Sequence, residues 1–247
     1  MRVTIITVVY NAEQFLRDCI ESVLVQDYPD LEYILIDGSS TDDSLKIAKE
    51  YDSSISILIS EPDSGMYDAL NKGITLATGE VIGILNADDM FVDSVVISSV
   101  VREFKAKEIE AVYGDLNYID RSDVKKVRRK WRSSSAKPID VALGWMPAHP
   151  ALFIRKHLFK KFGGYELSYG SAADYELMVR YFYTYRINTV HLPMLMVNMR
   201  SGGMSNKSAK QRYNAFCWDY KALKHHKVPF PMFALLLKKL RKIKQFF

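Results

Sequence analysis

The sequence predicts an α/β fold with a mostly parallel, doubly wound central sheet flanked by helices, on three observations. Strand and helix signals alternate from Val3 to Lys107, and parallel strands need such crossover helices. The strand segments are nearly continuously apolar, as expected where both sheet faces are covered. Each of the early strands also ends in a polar cluster, at Tyr10–Asn11, Asp37–Asp42, Glu61–Gly65 and Asn86–Asp89. In open α/β sheets ligands sit at the carboxyl ends of the strands, so four loops are expected to share one rim.

The elements follow in order. Val3–Tyr10 is an apolar strand, and Asn11 with Gln14 resembles a helix-capping pair. The helix behind it, to about Gln26, carries Leu16, Ile20, Val23 and Leu24 on one face. Leu31–Ile36 is a strand, 42–51 a helix, Ile55–Ile59 a strand and Met66–Leu76 a helix. Val81–Leu85 is a strand and Ser94–Lys107 a helix. The second half is less regular: a strand at Ala111–Tyr118, a basic stretch at Arg121–Arg132, and a loop at Pro147–Pro150. A strand at Ala151–Arg155, a short helix ending at Gly163–Gly164, a helix over Ala173–Tyr185 and a strand at Ile187–Leu192 complete it. No linker or repeat divides residues 1–227. The basic stretch holds seven Lys/Arg against Asp123 and reads either as a mobile loop near an acceptor or membrane, or as a solvated segment.

At 247 residues, with 48% hydrophobic and 26% charged residues, the chain is of ordinary globular composition, which excludes disordered and fibrous classes. Cys19 and Cys217 form no CxxC and suggest no disulfide framework or cysteine zinc site; both read as inert, buried or half-buried thiols. The net charge of +5 is a tail property: residues 221–247 hold eight Lys/Arg and no Asp/Glu, leaving 26 basic against 29 acidic residues in the rest. A reader of duplex nucleic acid would carry that charge on its body, so no nucleic-acid partner is expected. The sequence shows neither a membrane-spanning run nor a signal peptide at its start, and a cytoplasmic location is expected. At 228–247, Leu236, Leu237, Leu240, Ile243 and Phe247 follow Phe233 at helical spacing, opposite Lys238, Lys239, Arg241 and Lys242. That is a basic amphipathic tail, suited to peripheral contact with an anionic membrane or to packing on its own domain.

No GxGxxG and no P-loop follows the first strand; Tyr10-Asn11-Ala12-Glu13 stands there instead. Without a glycine turn the backbone cannot close around a pyrophosphate, and a cation held by carboxylates would have to neutralise it. Asp88 and Asp89 follow an apolar strand, where oxygen ligands suit Mg or Mn or, alternatively, cap the next helix. Asp37 is placed to cap a turn or to accept hydrogen bonds from a base and ribose.

ITVVYN, IDGSSTDDS, SEPDSGMYDALNKGITLATGE and IGILNADD, in this order and spacing, resemble glycosyltransferase family 2 over roughly residues 2–200. The resemblance implies the GT-A fold, with 1–110 binding a nucleotide-sugar and 111–227 the acceptor. It implies inverting transfer of a hexosyl or N-acetylhexosaminyl group from a nucleotide-diphosphate sugar, in particular a UDP-sugar. Val9, Tyr10 and Asn11 would line the base pocket, Asp37 would meet uracil or ribose, and Asp63 with Asp68–Lys72 would border nucleotide and sugar, Lys72 near phosphate. The family's DxD motif falls on Asn86-Ala87-Asp88, making Asp88 the Mn or Mg ligand. Asn86 departs from the pattern by bringing no charge. Asp174, in SAADYELMVR, falls on the general base at a helix start, where the helix dipole favours its ionised form. His149, in PAHPALFIRK, and Arg200, in NMRSGGMS beside a Gly202–Gly203 hinge, would lie near diphosphate or acceptor. With the tail, this points to a lipid-linked glycan acceptor in surface-polysaccharide assembly at the inner face of the plasma membrane. A nucleotidyltransferase and a non-catalytic nucleotide-sugar binder are the alternatives.

Overall fold

The structure, a computed structural model, describes residues 1–106, 108–202, 209–243 and 245. Lys107, Gly203, Lys244, Phe246 and Phe247, which figure in the sequence reading, lie outside the described residues. In chain order the elements are β1 (Val3–Val9), α1 (Leu16–Leu24), β2 (Leu31–Asp37), α2 (Ser44–Glu50), β3 (Ile57–Ser60), α3 (Met66–Leu76), β4 (Val81–Ile84), β5 (Met90–Phe91), α4 (Val96–Ala106) and β6 (Ala111–Ile119). They continue with β7 (Val127–Trp131), α5 (Pro138–Ala142), β8 (Leu152–Arg155), α6 (Lys156–Phe162), α7 (Ala173–Met178), β9 (Thr189–Arg200), α8 (Ala209–His225) and α9 (Pro231–Ile243).

One sheet runs β3-β2-β1-β4-β8-β6-β9-β5, with β7 added to β6. β3, β2, β1 and β4 are parallel, as the crossover helices require. β8 then joins β4 and β6 antiparallel, whereas β9 returns parallel to β6. Alternate residues of each central strand feed different cores: Ile5, Tyr33 and Leu35 pack toward α1, α2 and α4, and Ile6, Ile34 and Ile36 toward α3 and the C-terminal helices. The register pairs Val9 with Asp37 and Asp37 with Ser60, so three strand ends are level at the rim.

Several readings are corrected. The basic stretch is not a loop: Val127–Trp131 forms β7 and pairs antiparallel with β6. β9 is twice the expected length, and β5 and α8 add elements with no expected counterpart. α7 continues as a π-helix over Val179–Thr184. Asn11 does not cap α1, whose first residue has no side-chain cap; its Oδ1 accepts the Thr41 N–H at 2.9 Å instead. Cys19 is buried as expected, but Cys217 is exposed.

The acceptor half is tied together around Glu176. Its carboxylate meets Arg180 Nη2 at 2.9 Å and His226 Nε2 at 2.7 Å, and all three groups are buried. Arg180 also donates to the Gly164 carbonyl at 2.6 Å and to that of Phe162. Removing one partner strands a buried charge, so Glu176→Gln is expected to cost about 1.5–3 kcal/mol, read from the denaturant midpoint.

Both sequence readings of the tail meet in α9. Ala234 and Leu235 are buried in the core, so the helix belongs to the domain, yet most of its apolar stripe faces outward. Gly144, at φ +75°, lets it approach: a Cβ there would lie 2.4 Å from the Ala234 carbonyl oxygen and the Lys238 nitrogen. Both contacts are backbone and cannot rotate away. Gly144→Ala is therefore expected to cost about 1–3 kcal/mol and to speed trypsin cleavage at Lys238 and Lys239. Among the described residues no helix is long and apolar enough to cross a membrane.

Candidate active site

The loops after β1 and β2 are zipped together at the rim. Ser40 Oγ accepts the Asn11 N–H at 2.9 Å, Ser44 Oγ that of Ala12 at 2.8 Å, and Asp42 Oδ2 that of Glu13 at 3.0 Å. Asn11 takes φ +50°, a left-handed backbone that asparagine tolerates. Val9 is buried, while Tyr10 is 62% exposed and offers a ring face at the strand end. Asp37 takes the turn-capping role, one of its two expected readings. It is fully buried, with Oδ1 accepting Ser40 Oγ at 2.5 Å and Oδ2 accepting Ser60 Oγ at 2.6 Å. It anchors the turn rather than opening toward a base. Asp63 lies against Gly38, where a Cβ would sit 2.4 Å from its Oδ2, and accepts the Gly65 N–H at 2.7 Å. Lys72 is held by Glu61 at 2.9 Å and the Pro62 carbonyl at 3.1 Å.

Asn86–Asp89 form a turn, with the Asp89 N–H donating to the Asn86 carbonyl at 3.0 Å. The turn leads into β5, not into α4, so neither acid caps a helix. Asp89 is fully buried, and its oxygens accept Asn86 Nδ2 at 2.9 Å and the Arg200 N–H at 3.1 Å. Burial, then the neighbouring Asp88 charge, raises its pKa well above the usual carboxylate range. Asn86 thus spends its amide on Asp89, and Ala87 is buried beneath the turn. Arg200 is no mobile phosphate ligand: its side chain is 2% exposed and donates from Nη1 to the Asp88 carbonyl at 2.9 Å and from Nη2 to Asp18. Arg200 and Arg121 both stand over the Phe15 ring, 4.5 Å from its centre. Asp88 is left half-buried. Burial raises its pKa, opposed by a backbone hydrogen bond and the charges of Arg121 and Arg200.

Asp174 lies in the first turn of α7 and does not act as its cap; its Oδ1 accepts the Tyr175 N–H at 2.7 Å. An aromatic cluster surrounds it. Tyr67 from α3 stacks on Tyr165 with ring centres 5.3 Å apart, and Tyr165 Oη shares a 2.6 Å hydrogen bond with His149 Nε2. Burial, then the Asp174 charge and hydrogen bonding to it, raises the Tyr67 phenol pKa well above its usual value. Tyr118 on β6 joins the two halves. Its pKa is raised by burial and by the charges of both Asp89 and Asp174, against the lowering charge of Arg129. Asp89 and Asp174 thus both lie within electrostatic reach of one phenol, that of Tyr118. Tyr118, Tyr165 and Asp18 had no motif to announce them, and Tyr67 lay in a quoted motif without an assigned role; only long-range pairing brings them here.

His149 lies beside Asp174, and burial lowers its pKa more than that charge raises it. A depressed histidine pKa means the unfolded chain binds the proton more readily, so stability rises with pH in this range. The contribution is full above about pH 6.5 and is lost as pH falls toward the lowered value. Wild-type stability is expected to fall more steeply below about pH 6.5 than that of His149→Gln, measured by chemical denaturation.

Among the described residues no three His, Cys, Asp or Glu side chains converge as a metal cage. The donor set instead offers one half-buried carboxylate, Asp88, backed by an Asp89 already hydrogen-bonded. A hard cation that keeps most of its ligands from a diphosphate and water suits such a site, and its charge would offset the burial of Asp88. The residues fit Mg or Mn on those terms.

A curled mixed sheet in this strand order, flanked by helices, is the GT-A fold of glycosyltransferases. The chain belongs to glycosyl transferase family 2, whose family model matches residues 4–164. It is 32% identical over 209 residues to a PGL/p-HBAD biosynthesis glycosyltransferase of Mycobacterium tuberculosis, covering 82% of this chain and 78% of the relative. Among solved structures, Staphylococcus aureus TarS matches with TM-score 0.68 at 15% identity over 91% of this chain, which spans 39% of TarS. The mannosyltransferase PcManGT from Pyrobaculum calidifontis, solved with GDP-Man and Mn2+, matches with TM-score 0.65 at 17% identity, covering 96% of this chain and 68% of that one. TarS residues 1–349 have been solved with UDP and with UDP-GlcNAc. At these identities the structural likeness concerns the fold.

Proposed function

We propose that the protein transfers a hexosyl or N-acetylhexosaminyl group, with inversion, from a UDP-sugar to a hydroxyl of a lipid-linked glycan acceptor. The observation that carries this reading is the family match, supported by the placement of Asp89, next to Asp88, and of Asp174 within electrostatic reach of one phenol, that of Tyr118. Asp174 takes the acceptor hydroxyl proton. The acceptor oxygen bonds to the anomeric carbon from the face opposite the diphosphate, and the electron pair of the breaking carbon–oxygen bond leaves with the phosphate oxygen. The Tyr175 N–H orients the Asp174 carboxylate for this transfer, with the Tyr67 phenol close enough to feel its charge. Asp88 would hold Mn or Mg together with the diphosphate, and the cation supplies charge stabilisation for the leaving group. Exposed Tyr10 and the zipped loop around Asn11 border the base. Asp37 acts on the nucleotide by fixing that loop, Asp63 and Lys72 shape its far edge, and Arg200 holds the Asp88 turn in place. His149 stands beside the base on the acceptor side.

UDP as the carrier is supported by the nucleotides in TarS, and Mn2+ by the PcManGT complex. A lipid-linked acceptor is supported by α9, whose Lys238 lies over the ring of Tyr175, next to Asp174. A thermal-shift panel of UDP- and GDP-sugars with Mn2+ tests the donor. At a ligand concentration near 100 Kd, binding contributes about 2.7 kcal/mol, so a UDP-sugar should raise Tm by about 5–10 °C. A shift with GDP-sugars and none with UDP-sugars would contradict the donor assignment.

A further inference from the structure

The last helix is turned inside out relative to an ordinary surface helix. Met232, Phe233, Leu236, Leu240 and Ile243 are between 49% and 57% exposed, and their spacing gathers them on one side of the helix. The inward side holds Ala234, Leu235 and a cation: Lys238 Nζ lies 3.2 Å from the centre of the Tyr175 ring and 2.8 Å from Asp219. Surface helices normally bury their apolar stripe. Here the core has used two small stretches of α9 and left the rest of the stripe to solvent.

We propose that α9 docks the enzyme on an anionic bilayer, its outward stripe entering the lipid surface while its inward side walls the acceptor end of the cleft. Charge selects this occupant. Lys239, Arg241 and Lys242 are exposed on the same helix, and residues 221–247 contain no acid. The β6–β7 hairpin brings seven further Lys/Arg between 121 and 132; Arg129 of β7 and Lys242 of α9 lie within electrostatic reach of each other. An apolar stripe beside cations matches acyl chains below phosphate headgroups. A second copy of the chain fits poorly, because pairing two such stripes sets like charges against each other.

The docking stands on α9 itself. Its consequence, that the membrane delivers a lipid-linked acceptor to Asp174, rests on the function proposed above. Lys238 stacks on Tyr175, the residue after the base, so a docked α9 leaves the acceptor side of the cleft at the lipid surface.

Flotation of the full chain with vesicles of phosphatidylcholine, alone or mixed with phosphatidylglycerol, tests the docking without any sugar donor. Wild type should float with the mixed vesicles, and raising salt to about 1 M, where the Debye length is about 3 Å, should release much of it. Leu236→Glu with Leu240→Glu should weaken vesicle binding about tenfold or more with unchanged Tm, since both side chains are already half exposed. Lys239→Glu should reduce the preference for anionic vesicles. Equal flotation of wild type and the double variant would overturn the proposal. So would a stable dimer, seen by light scattering, that the double variant dissociates while wild type ignores vesicles. Loss of transfer in Asp174→Asn with docking intact would separate the two readings.

Discussion

Asp174→Asn is expected to lower turnover by about 10²–10⁴-fold while UDP binds as it does to wild type. The substitution keeps the volume, and Oδ1 can still accept the Tyr175 N–H. It removes the charge that takes the acceptor proton. The Asp88 turn does not depend on this group: it is held by Arg200, Asp18 and Asn86. The expected signature is a fall in kcat with donor Kd unchanged by calorimetry. Tyr67→Phe should give a smaller loss, because it removes only a hydroxyl near the carboxylate. Full activity in Asp174→Asn would take this residue out of the mechanism.

Asp88→Asn is expected to act on both binding and rate. It leaves the Arg200 contact to the Asp88 backbone carbonyl in place, so the turn should persist. What disappears is the carboxylate proposed to meet a cation and a diphosphate. Loss of an outer-shell partner of a metal costs about 10–100-fold in affinity, so loss of the ligand itself should cost at least that, and loss of charge stabilisation at a leaving oxygen costs about 10²–10³-fold in rate. Titration of UDP with and without Mn2+ reads the first, and initial rates at saturating donor read the second. Mn2+ should strengthen UDP binding to wild type and have little effect in the variant. Equal Mn2+ enhancement in both proteins would place the cation elsewhere.

Asp88 stands out in the sequence because the apolar strand before it ends abruptly in polar residues, whereas Asp174 is carried by the family resemblance alone. β1, β2 and β4 showed continuous apolar runs, and α3 showed helical periodicity from Met66 to Leu76, where the structure has it. β7 was hidden because VRRKW carries mostly charge, and only pairing with β6 makes it a strand. α8 lacks a clear apolar face, having aromatic and basic residues interleaved along Ala209–His225.

At the site, residue type was informative and reach was not. Asp37, Lys72 and Arg200 have the chemistry of nucleotide ligands, yet each is engaged by its own protein. Ser40 and Ser60 take Asp37, Glu61 takes Lys72, and Asp18 with the Asp88 carbonyl takes Arg200. Local spacing cannot show such partners when they lie up to 182 positions away, as Asp18 does from Arg200. The aromatic wall around Asp174 was hidden for the same reason: Tyr67, Tyr118 and Tyr165 come from three separate segments joined by α3, β6 and the turn before α7.

The most direct measurement is a crystal structure with UDP and Mn2+ bound. The account predicts the ion on the Asp88 carboxylate and the diphosphate, with Asp174 facing the β-phosphate across an open acceptor space beside Tyr118. An ion bound away from Asp88, or a diphosphate on the far side of the sheet from Asp174, would contradict it.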